Sequence, residues 1–161
     1  FQIIQSITAC PKIFIAALAG PVIGSGSSIA LACDLRIAAA GTWFWLPDPQ
    51  YGGLLGDGGL VRLAQITGTG RAAILALTNE RINLDTANKW GLIYKTASRE
   101  RLMETALTAA ARLCGLSGKT LEHHKKILNQ TMPLHFPGEA LRNLLHSPET
   151  YRRFQSYIKQ K

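Results

Sequence analysis

Over the first hundred residues the apolar positions fall in short runs separated by glycine-rich and polar turns, whereas beyond Arg99 they recur at helical spacing. Phe1 to Thr8 reads as the end of an amphipathic helix that Cys10 and Pro11 break, and Lys12 to Leu18, rich in β-branched and aromatic residues, reads as a buried strand. A glycine turn through Gly20, Gly24 and Gly26 then leads into a helix over about Ser27 to Cys33. Leu35 to Ala39 and Thr42 to Leu46 read as two further strands. Pro47 to Gly59 holds two prolines and five glycines and reads as a long irregular loop, the kind of segment that carries function inside a compact domain. Helices follow at about Leu60 to Ile66, Gly70 to Leu77 and Leu84 to Trp90, the last ended by Gly91 before a strand from Leu92 to Lys95.

From Arg99 to Leu113, the residues Leu102, Ala106, Ala109, Ala110 and Leu113 share one helix face. Leu121 to Leu128, Ala140 to Leu145 and Glu149 to Ile158 continue the helical pattern, with Tyr151, Phe154 and Ile158 together and a hinge between Pro133 and Gly138. The expected organisation is a mixed α/β core over residues 1–98 and a helical capping and oligomerisation region over 99–161.

Composition narrows the class. At 161 residues and 47% apolar content the chain is one globular domain of ordinary size. Apolar runs end well short of 18 residues, and the N-terminal stretch lacks the basic segment of a secretory signal, so no membrane association is expected. Cys10, Cys33 and Cys114 are odd in number and widely spaced, which points to reduced thiols in a cytoplasmic protein and to no metal site. The net charge is +8, and residues 119–161 contribute +5 of it with eight Lys or Arg against three Glu. Such an end attracts phosphates or an acidic surface, but no nucleic-acid motif accompanies it, and a solvated helical face accounts for it. The chain opens at Phe1 in the middle of a helical pattern with no cap before it, and so reads as a piece of a longer one.

The densest chemical signal is the strand, turn and helix from Lys12 to Asp34. The first amides of a helix lack intrahelical acceptors and attract negative charge, so the turn around Ser25 is a candidate oxyanion site. Ser25, Ser27 and Ser28 do not suggest a serine hydrolase, because no Gly-x-Ser-x-Gly is present and His123, His124, His135 and His146 all lie in the tail.

Several motifs agree in register with one family. Pro11 to Gly20, Gly24-Ser25-Gly26, Ala32 to Ala38, Pro47-Asp48, Gly56-Asp57-Gly58-Gly59, Arg62-Leu63, Thr78 to Ile82 and Ala87 to Leu92 together resemble the crotonase superfamily, the enoyl-CoA hydratases and isomerases. The resemblance implies a spiral of β-β-α units capped by C-terminal helices, packed into a homotrimer or hexamer. It also implies an acyl-CoA thioester substrate, with no separate cofactor, whose carbonyl is held by two backbone amides. One amide is that of Ser25, flanked by Gly24 and Gly26; the other belongs to a family segment that precedes Phe1.

Family hydratases use two carboxylates. In register, the first falls on Ser28 and the second on Asp48, so two-acid hydration is disfavoured. Asp57 stands directly before Gly58-Gly59, where several family isomerases carry an acid. Asp57 or Asp48 is therefore expected to shuttle a proton between two carbons of an enolate, as in Δ3 to Δ2 double-bond isomerisation. Bland roles compete with these: Asp57 as a helix cap, Asp48 as a turn residue between two prolines. Trp45, in the aromatic strand Trp43-Phe44-Trp45, is expected to line an acyl pocket with the glycine turn and Ser28. The alternatives are a hydratase, a decarboxylase or other C–C lyase, and a catalytically inactive subunit of the same fold.

Overall fold

Two small sheets are built turn by turn from the same unit. In the computed structural model, β1 (Ile15–Leu18) enters one sheet, β2 (Pro21–Ile23) the other, and α2 (Ser25–Ala32) returns the chain. β3 (Leu35–Ala39) then pairs in parallel with β1, and β4 (Trp43–Trp45) in parallel with β2. β5 (Arg81–Asn83) pairs antiparallel with β4, and β6 (Lys95–Ala97) closes the first sheet beside β3, giving the orders β1-β3-β6 and β2-β4-β5. The expected β-β-α spiral is present.

Around these strands lie α1 (Gln2–Ala9), α3 (Gly59–Thr67), α4 (Thr69–Leu77), α5 (Leu84–Lys89) and α6 (Leu102–Cys114), followed by α7 (Gly118–Leu128) and α8 (Pro148–Lys159). The structure describes residues 2–129, 142–143 and 146–159, in two compact units divided between Ala110 and Ala111. Among them, no helix is long and apolar enough to cross a membrane.

The main core gathers Val22 of β2, Leu31 of α2, Phe44 of β4, Leu63 of α3, Leu75 of α4 and Leu92. Phe44, Leu63, Leu75 and Leu92 are almost completely enclosed, each such burial stabilising the fold by roughly 1.5–3 kcal/mol. Ile37 and Ala39 on the other face of β3 pack against Leu102, Ala106 and Ala109 of α6, which puts the predicted apolar face to use. α2 is enclosed through small residues, Ser27, Ser28, Ala30 and Ala32, which allow α1, α3 and β2 to approach it closely. Buried Arg36 pins these layers. It donates to the carbonyls of Leu92 and Cys33, both at 2.6 Å, and to that of Ala30 at 3.3 Å, placing a cation at the carbonyl end of α2. Burial lowers its pKa, against Cys33 and Asp34, which raise it.

The structure departs from the sequence reading in a few places. Gly20 to Ser28 is not all turn, because Pro21 to Ile23 forms an edge strand, where the missing proline N–H costs no ladder bond. Consequently α2 begins at Ser25 rather than Ser27. A one-turn 3-10 helix, Asp48–Tyr51, interrupts the predicted loop, and β5 was not anticipated. The expected strand at Leu92 to Lys95 moves to Lys95–Ala97: Leu92 N–H closes α5 on the Ala87 carbonyl, and its own carbonyl is taken by Arg36, so neither group is free for a ladder. The hinge at Pro133 to Gly138 and most of the helix at 140–145 lie outside the described residues, as do the side chains of Phe154 and Ile158.

Candidate active site

The glycine turn owes its shape to Gly24, whose φ of 50° and ψ of −123° are open to glycine and costly for any residue with a Cβ. Its N–H donates to the Trp45 carbonyl at 3.0 Å, fastening the turn to the end of β4. Its own carbonyl accepts the Ser27 and Ser28 N–H groups at 2.9 and 3.3 Å, starting α2. No side chain caps the helix, and Ser25 and Gly26, both exposed, present the first N–H groups at its positive end. Ser25 adopts helical backbone without strain; Asn79 is the one non-glycine residue with positive φ among the described residues. A serine therefore fits where a glycine would, with its N–H at the exposed start of α2.

One turn further along α2, Ser28 is fully enclosed and donates from Oγ to Asp57 Oδ1 at 2.7 Å. The same oxygen accepts the Gly59 N–H at 3.0 Å, so half-buried Asp57 also closes the start of α3. Gly59 has no room for a side chain: a Cβ there would run into Ser28 Oγ and lie 2.8 Å from Ser28 Cβ and 3.1 Å from Asp57 Oδ1. Residues 29 positions apart in sequence thus form one polar seat between two helix starts.

Asp48 is held differently. It begins the 3-10 turn, and its carbonyl accepts the Gly53 N–H at 2.8 Å. Its Oδ2 is buried and has no hydrogen-bond partner among the described residues. A buried acceptor left unsatisfied costs about 1–3 kcal/mol, and a charged one more, so this oxygen is placed to gain from a water or substrate group that donates to it.

Trp45 reaches the glycine turn through its carbonyl. Its indole N–H donates to the Asn79 carbonyl at 3.1 Å and to Asn79 Oδ1 at 2.8 Å, and its ring lies 4.5 Å from the Arg81 guanidinium, which also stacks 4.7 Å from Trp43. Asn79 Nδ2 donates in turn to Gln50 Oε1 at 2.7 Å, bracing the 3-10 turn that carries Asp48. A cavity of about 680 Å³ opens beside Trp43, lined among others by Ile74, Glu80, Arg81 and Trp90; none of the predicted site residues lines it. No cluster of metal-ligating side chains occurs among the described residues, and Cys10, Cys33 and Cys114 form no disulfide there.

The structure therefore joins Gly24, Ser25, Gly26, Ser28 and Asp57 around the start of α2, and links Trp45 to the Asp48 turn through Asn79 and Gln50. Sequence reasoning missed the roles of Gln50, Asn79 and Arg81. Cross-strand pairing of Trp45 with Arg81 brings these groups together, and local spacing holds no signal for it.

The comparisons with known proteins bear on the family and the fold. The family model described as enoyl-CoA hydratase/isomerase matches residues 1–144. A probable enoyl-CoA hydratase of Mycobacterium leprae is 36% identical over 121 residues, covering 75% of this chain and 47% of that protein. A crotonyl-CoA hydratase of Syntrophomonas wolfei is 33% identical, covering 81% of this chain and 50% of that protein. The chain thus spans about half the length of the curated relatives it matches. Among solved structures, subunit I of an enoyl-CoA hydratase from Geobacillus kaustophilus superposes with a TM-score of 0.90 at 26% identity, covering 98% of this chain and 64% of that one. With the β-β-α spiral, the glycine turn and the motif register all in agreement, the chain belongs to the enoyl-CoA hydratase/isomerase family of the crotonase superfamily.

Proposed function

We propose that the protein acts on an acyl-CoA thioester by stabilising its enolate, and that the reaction is double-bond isomerisation with Asp57 as the proton shuttle. The observation that carries this reading is the 2.7 Å bond from Ser28 to Asp57, which sets a carboxylate one helical turn from the free amide of Ser25. Asp57 removes a proton from one carbon, the electron pair moves onto the thioester oxygen, and the Ser25 N–H receives the charge. Returning the proton to the other end of the conjugated system completes the migration. A positioned oxyanion donor lowers such a barrier by about 3–4 kcal/mol. The second donor is the one that the family supplies from its N-terminal half.

Hydration is the second reading, favoured by the unpartnered Oδ2 of Asp48 and by the hydratase names of the relatives. In it, Asp48 holds the attacking water and Asp57 stands in for the acid that Ser28 replaces. Crotonyl-CoA hydration and 3-enoyl-CoA isomerisation, assayed side by side, separate the two. Isomerisation is expected to fall about 100-fold in Asp57→Asn and far less in Asp48→Asn. Hydration that collapses in both variants, with no isomerisation in the parent, selects the second reading, and inactivity in both assays sinks both. The protein works as a cytoplasmic homotrimer or hexamer, a reading supported by exposed Met103 and Leu107 on α6 and by three widely spaced cysteines outside any disulfide. Sedimentation of a monomer alone would refute the assembly.

A further inference from the structure

We infer that Ser28 is a positioning residue for the reaction, one that fixes which oxygen of Asp57 exchanges the proton; this rests on the isomerisation reading above. A buried serine inside a helix ordinarily turns its hydroxyl back to the carbonyl four residues earlier. For Ser28 that carbonyl is Gly24's, already occupied by two N–H groups, and the hydroxyl crosses instead to a different helix start. Both bonds to Asp57, from Ser28 Oγ and from Gly59 N–H, converge on Oδ1. Two donors on one oxygen hold the carboxylate plane and leave Oδ2 to take the proton. The space for this seat exists because residue 59 is glycine: any Cβ there would occupy the place of the Ser28 hydroxyl.

Neighbouring Ser27 supplies the contrast. It is equally enclosed, yet its hydroxyl donates to the Val22 carbonyl at 2.9 Å and so ties α2 to β2. Two adjacent buried serines thus serve two different ends, one fastening the helix and the other fastening the acid.

The proton balance makes the role measurable. The C–H bond of one carbon breaks, its proton passes to Asp57 Oδ2, and the same proton forms the new C–H bond at the second carbon while the electron pair returns from the enolate oxygen. A carboxylate held by two donors delivers the proton before solvent exchanges it, so deuterium placed on the first carbon should appear on the second. With 3-enoyl-CoA deuterated at the donor carbon, Ser28→Ala is expected to lower kcat about tenfold, leave KM within twofold, and cut intramolecular deuterium transfer at least by half. Ser27→Ala, which removes an equally buried hydroxyl from the same helix, should leave both kcat and deuterium transfer close to the parent. Unchanged kcat and transfer in Ser28→Ala, or equal losses in the two variants, would overturn the assignment, the second by reducing it to general support of α2. A parent without isomerase activity would sink the isomerisation reading and this role with it, whereas an active parent with an indifferent Ser28→Ala sinks the role alone.

Discussion

Asp57 and Asp48 are both half-buried carboxylates on glycine-rich turns, and the chain treats them in opposite ways. Asp57 has one oxygen saturated by Ser28 and Gly59, so its position is set by the meeting of α2 and α3. Asp48 is set through its backbone, by Gly53 and by a Gln50–Asn79–Trp45 relay, while its buried Oδ2 has no partner among the described residues. The difference teaches that a carboxylate can be prepared either by fixing it, which stabilises the fold, or by leaving it unsatisfied, which does not. A group of the first kind is ready to move a proton along a defined path. A group of the second kind gains most from what the substrate or a water brings.

The comparison breaks at once if Asp57→Asn retains isomerisation; a loss of about 100-fold is expected, read as kcat/KM on 3-enoyl-CoA. Gly59→Ala tests the seat itself. Forcing a methyl against Ser28 should destabilise the fold by about 1–3 kcal/mol in urea unfolding and lower isomerase activity in parallel. Asp48→Asn should act with the opposite sign on stability. Removing charge from a buried, unpartnered oxygen is expected to stabilise by about 1 kcal/mol, raising the thermal midpoint by about 2–4 °C while lowering any hydration activity. A lower midpoint would show that Asp48 is satisfied in solution and dissolve the contrast. The smallest effect is expected for Asn79→Gly, which eases a φ of 57° and keeps the backbone carbonyl bond to Trp45 but removes the side-chain bonds to Trp45 and Gln50. Stability should change by less than about 1 kcal/mol, with a shifted tryptophan emission reporting the altered surroundings of Trp45.

Much of the fold was legible because its signals are local. The apolar run ending at Leu18, the helix ended before Gly91 and the face of α6 all follow from spacing and terminators within one element. β2 and β5 were not legible, since three-residue strands with a proline or an arginine at one end are decided by the neighbour they pair with. At the site, the turn around Ser25 could be read because free helix amides are a property of the turn itself. The motif Gly56-Asp57-Gly58-Gly59 singled out Asp57, yet Ser28 stood in the sequence only as the place of a lost acid. That a hydroxyl in that place reaches across to hold another acid depends on α2 and α3 meeting at a glycine.

By itself, the sequence determined the alternation of short strands and helices, the glycine that bends the chain into α2, and the presence of one carboxylate before a Gly-Gly helix start. These are consequences of backbone freedom, capping and apolar periodicity over a few residues. The tertiary structure alone decided which groups share a site: the pairing of Ser28 with Asp57, the contacts of the Trp45 ring with Asn79 and Arg81, and the burial of Asp48 Oδ2 with no partner among the described residues. The physical reason is reach, since a hydrogen bond spans about 3 Å whatever the separation along the chain, and only packing determines which distant residues come within it.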